Sequence, residues 1–260
     1  MFGLFKNEPP LDEPSVEWLF DIYGWSLKNF GASLFFDETL LVQPSNKFFP
    51  GNVSSVQGMA ELILKQVKHY ANLSHWPTKA VDQNQCSLDD PSQPQRLLIE
   101  GAVRLPGGVI DENIPEEERL TINYDPLMIN QPEQLIASYA HILAHYLGSM
   151  APEPPPGDKA NWPHVTEVLA VFMGFGVLFA NSAYNVKISS CGGCQGPVAD
   201  RETFLSQHDI TYALAIFCVL KDIPAGKVTG HLKGTLRGYF KSCIKDLKGR
   251  KTQLAKLKEI

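Results

Sequence analysis

The sequence predicts an α+β fold, mostly helical with a small β-sheet. Apolar residues recur at helical spacing in the first and last thirds of the chain. Two short β-like runs, over residues 97–103 and 120–124, lie in the middle. The order is therefore helices, a small sheet, then helices again. The 260 residues suit one domain, with an N-terminal helical portion over 1–80, a sheet and candidate-site helices over 95–185, and C-terminal helices over 200–260.

The first helix is expected over 14–29, where Trp18, Leu19, Ile22, Trp25 and Leu27 form a broad apolar face and Gly31 is a natural stop. Residues 34–42 have a short apolar, β-like character. Helical periodicity resumes over 54–70 through Val56, Met59, Leu62, Ile63 and Val67. The two middle strands are separated by Pro106-Gly107-Gly108 and an acidic turn over 111–118. Asn130 is expected to cap the next helix, with Glu133 completing a capping box, Pro132 in the first turn and Gly148 at the end. A proline-rich linker over 152–157 leads to a helix over 163–183, capped by Asn161. Ser206 and Asp209 form a second capping box before a helix ending near Leu220. A last helix is expected over 229–247, with Leu232, Leu236, Phe240, Cys243 and Ile244 on one face.

Composition bounds the function. A hydrophobic content of 44% and a charged content of 20% are ordinary for a globular protein that builds its own core. The most apolar stretch, 168–180, contains two glycines and reads as a buried helix, so no membrane association is expected. The N-terminus lacks a long apolar segment with a small-residue cleavage site, so no signal peptide is expected. Five cysteines, an odd number, point to a reducing compartment and a cytoplasmic location. Residues 227–260 hold ten Lys and Arg against two acids, a net of +8, which leaves −13 on the rest of the chain. Lys233, Arg237, Lys241 and Lys245 form an i, i+4 ladder there. With only Tyr239 near it, this ladder reads as a solvated face, and nucleic-acid binding is not expected.

The chemistry-bearing pattern is the pair His141 and His145. Residues four apart share a helix face, so both imidazoles can reach one ion. A zinc site needs a third protein ligand, and Glu167 is the candidate: it is the only Asp, Glu, Lys or Arg between residues 161 and 186. A lone carboxylate in an apolar helix must be paired or bound to a cation. His164, one turn earlier, is a reserve ligand or supporting partner. A metal-free cluster of one carboxylate and two imidazoles satisfies the same residues.

These residues carry a resemblance. His141-Ile142-Leu143-Ala144-His145, the run from Thr166 to Gly176, and Tyr212-Ala213-Leu214-Ala215-Ile216-Phe217 resemble an uncharacterised bacterial protein family. Its members carry an HELAH-type motif, a downstream acidic helix and a later YALALF-like helix. By analogy that family is similar to the gluzincin peptidases, which implies a zincin-like fold with zinc on His141, His145 and Glu167. The sequence departs from the family at Ile142, which stands where the motif's Glu would take a proton from zinc-bound water. Losing such a base removes about 10²- to 10⁴-fold in rate, and the sequence identifies no replacement carboxylate. The expectation is a pseudo-metallopeptidase of unknown role. Its alternatives are a metal-free structural or interaction protein and a metallohydrolase with a non-standard base. A protein partner or a peptide in the cleft fits the first two.

Weaker signals remain. Cys191 and Cys194 form a CxxC without the second pair of a zinc ribbon, and read mainly as a loop with two thiols. His208, Tyr212 and His231 are donors that could polarise a carbonyl in a zincin-like cleft, though such residues more often serve as caps, core or surface.

Overall fold

The computed structural model describes residues 9–85, 97, 104–110, 113–157, 159–183 and 203–260. It is mostly helical, with a two-stranded parallel sheet. Helix α1 (Glu13–Phe30) starts where the Asp12 side chain accepts the Ser15 N–H, and ends at Gly31, whose φ of 90° only glycine takes without strain. The segment expected to be β-like instead turns straight into helix α2 (Ala32–Asp37). Its one buried residue, Phe35, explains why: the ring stacks on Phe172 at 4.6 Å and meets Phe217 edge-on, an anchoring that a short helical turn provides.

Helix α3 (Val56–Tyr70) is capped by Ser55 and buries Ala60, Ile63, Leu64 and Val67. Strand β1 (Thr78–Asp82), which the sequence reading missed, pairs in parallel with β2 (Leu120–Tyr124), Thr78 opposite Leu120. The other expected strand, 97–103, lies outside the described residues except for Leu97. Helix α4 (Pro132–Ser149) follows a 3-10 turn over Pro126–Asn130 that Asp125 caps. Asn130 therefore ends that turn and does not cap α4; Gln131 holds the cap position without a side-chain bond. The proline-rich linker is tied to α1, where Trp25 Nε1 donates to the Glu153 carbonyl.

The apolar run expected as one helix is three pieces: α5 (Trp162–Ala170), a π-helical turn (Val171–Phe175) and α6 (Gly176–Ser182). Gly174 causes the break. It sits at φ 104°, its carbonyl accepts the Val42 N–H at 2.9 Å, and a Cβ there would lie 2.1 Å from the Leu40 carbonyl oxygen. The turn thus admits the 39–42 segment against the core. Trp162–Ser182 is long and apolar enough to cross a membrane, yet it lies wholly buried at the centre, packed by α1, α4 and α7.

Helix α7 (Gln207–Leu220) begins with the expected reciprocal box, Ser206 Oγ accepting from Asp209 N–H and Asp209 accepting from Ser206 N–H. The final expected helix, 229–247, is α9 (Gly234–Leu247), which starts later than expected; the short α8 (Gly226–Thr229) precedes it and a further helix, α10 (Lys251–Lys258), follows. Gly230 ends α8 and separates it from α9.

Candidate functional site

Helices α4 and α5 pack together, and Gly148 sets how closely: a Cβ there would meet the Trp162 ring at 2.7 Å. The indole consequently reaches the His helix, and Trp162 Nε1 donates to His145 Nδ1 at 3.0 Å. Indole N–H is a donor only, so Nδ1 is the acceptor. A neutral imidazole accepting at Nδ1 carries its proton on Nε2. The Trp162 and Tyr146 rings both stand edge-on to His145, and the resulting desolvation holds its pKa below the ordinary histidine value. The imidazole is otherwise exposed, so it presents an N–H donor to solvent.

His141 is half-buried, one turn earlier on α4. Between the two histidines, Ile142 is 6% exposed and belongs to the apolar core. Glu167 is fully buried on α5. Its Oε2 accepts the Leu205 backbone N–H at 2.7 Å, in the segment that leads into α7. His164, also half-buried, meets the Phe204 ring edge-on at 6.0 Å. Thus α5 turns Glu167 and His164 toward 204–205, while His145 engages Trp162 at the α4–α5 seam. Among the described residues, no group of three or more His, Cys, Asp or Glu side chains converges as a metal site does.

The remaining candidates are committed elsewhere. His208 stacks on Tyr239 at 4.2 Å, and Tyr239 donates to the Pro10 carbonyl. Tyr212 donates to Asp246 Oδ2; burial, then this bond, push its pKa well above the ordinary tyrosine value. Asp246 in turn accepts from Arg250, which grips Glu13 with two N–H groups, so Tyr212 helps clamp α7 to α9 and α1. His231 follows α8, and its carbonyl accepts from Asn181. Cys191 and Cys194 lie outside the described residues. Cys218 and Cys243 are buried free thiols, with pKa values raised by desolvation.

Two participants escaped the sequence reading. Trp162 was given no role in the sequence analysis, because an isolated aromatic beside a helix start carries no pattern. The Leu205 N–H is a backbone group, which no residue pattern reveals. No family model, curated protein or solved structure matches the chain.

Proposed function

We propose that this chain is a zincin-like protein without peptidase activity, in which His141, His145 and Glu167 are metal-free polar anchors, His145 at the α4–α5 seam and Glu167 toward the 204–205 segment, and which acts by binding. The Trp162–His145 hydrogen bond is the observation that carries this reading. A histidine ligand needs a free lone pair directed at the metal. In the arrangement held by Trp162, the Nδ1 lone pair is used and Nε2 bears a proton. Glu167 likewise directs an oxygen at a backbone N–H. As placed, the residues do not fit a zinc ion, and no catalytic step is routed through one. Ile142 supports the same reading from the chemical side, since a buried alkyl group can neither accept nor deliver a proton.

The test is the ring-nitrogen NMR spectrum of His145, assigned with His145→Gln. The expected spectrum has a protonated Nε2 and an unprotonated, hydrogen-bonded Nδ1, unchanged on adding equimolar zinc. A zinc-induced loss of the Nε2 proton in His145 and a matching change in His141 would sink the proposal.

A further inference from the structure

A cavity lies away from the His helix. It has a volume of about 840 Å³, within the range of small-molecule sites. Helix α3 forms one wall, β1 and Arg119 at the head of β2 another, and the 108–110 segment closes it. Lys68 and Thr78, which line it, are 5% and 6% exposed. Lys68 Nζ donates to the Trp76 carbonyl, leaving two of its three protons unused by that bond. Thr78 Oγ1 and Arg119 Nε are both buried in the protein without a hydrogen-bond partner. Thr78 pairs with Leu120 in the sheet, so the Arg119 and Thr78 backbones are near neighbours at this end of the cavity.

Buried polar groups in folded proteins are almost always satisfied. Here two unsatisfied atoms and a buried ammonium share one cavity. Lys68 and Arg119 repel each other, and among the described residues neither is paired with a carboxylate. Lys65 and Lys79 add to the positive rim against Glu61 and Glu116, on a part of the chain that is otherwise acidic. An anion in the cavity would complement the Lys68 and Arg119 cations that line it. Leu62, Val109 and Ile110 give the wall an apolar stretch, which suits a hydrocarbon body. The few donors match a single two-oxygen head better than a phosphate dianion with its larger demand for partners.

We propose that this cavity binds a small organic carboxylate, its head group held by Lys68, Arg119 and Thr78 and its apolar body lying along Leu62, Val109 and Ile110. The inference is independent of the His145 geometry.

Isothermal titration of the full chain with naphthoate, against the neutral naphthylmethanol of similar shape, tests it. Naphthoate is expected to bind saturably at one site, and naphthylmethanol about tenfold more weakly or worse. Lys68→Met and Arg119→Gln are each expected to weaken naphthoate by about tenfold or more, with thermal melts that establish folding. If Lys68→Met does not fold, Arg119→Gln decides, because that side chain is partly exposed and bonded to no described carboxylate. Absence of naphthoate binding, equal binding of the alcohol, or a folded Arg119→Gln with unchanged affinity overturns the proposal.

Discussion

Placing a glutamate at position 142 provides a sharp prediction. In a working zincin helix, a glutamate at position 142 would face a wet cleft. Here Ile142 is 6% exposed within the core, so Ile142→Glu places a carboxyl group among apolar side chains. Losing the buried isoleucine costs about 2–3 kcal/mol. An unbonded neutral carboxyl adds about 1–3 kcal/mol. The expected loss is therefore roughly 3–6 kcal/mol even with the carboxyl protonated, a large part of the ~5–15 kcal/mol that domains possess. Burial raises the carboxyl pKa above its unfolded value, so the unfolded state ionises first as pH rises. The variant should thus lose further stability as pH climbs above about 4, relative to wild type. Urea unfolding followed by circular dichroism at acidic and neutral pH measures both effects. A loss under about 1 kcal/mol, with no added pH dependence, would show that position 142 faces solvent and would refute the packing argument.

Other consequences are equally checkable. Gly174→Ala forces a Cβ into the Leu40 carbonyl at a left-handed φ, and should cost about 2–5 kcal/mol from backbone strain and overpacking together, read from the urea midpoint. Because desolvation lowers the His145 pKa, the unfolded chain binds its proton first; stability should fall as pH drops through about 6.5 and level off below the folded pKa. His145→Gln should remove that step from a urea-midpoint profile, and an unchanged profile would contradict the assignment. Burial, and then Arg119, lower the Lys68 pKa to about 8. Naphthoate affinity should accordingly weaken between about pH 7 and 9, and Lys68→Arg should hold it flat. Lys65, Lys79, Arg119, Glu61, Glu116 and His69 also face this cavity.

Legibility from sequence followed the range of the interaction. The α7 box was readable because a cap and its partner lie three residues apart, and the limits of α1 because its apolar periodicity stops at Gly31. Strand β2 was readable from its own five residues, whereas β1, Thr-Lys-Ala-Val-Asp, carries too little alternation to stand out. The run over 34–42 misled because short apolar segments suit helix and strand alike; the Phe172 ring, far along the chain, chooses helix for α2. The π-helical turn was illegible for the same reason, since the demand for Gly174 comes from the Leu40 carbonyl. Helix α10 escaped because it buries only Leu254 and Leu257. At the candidate site, the need to satisfy Glu167 was legible from its isolation in an apolar helix, but the Leu205 N–H was not. The Lys68 cavity left no pattern, because parallel pairing of β1 and β2 assembles it across about forty residues.

Metal content tests the central claim most directly. Untagged protein, purified without chelator, dialysed against zinc and then against buffer, is analysed by inductively coupled plasma mass spectrometry beside His141→Ala. The account predicts zinc far below one ion per chain in both proteins. One zinc per chain in wild type, lost in His141→Ala, would contradict it.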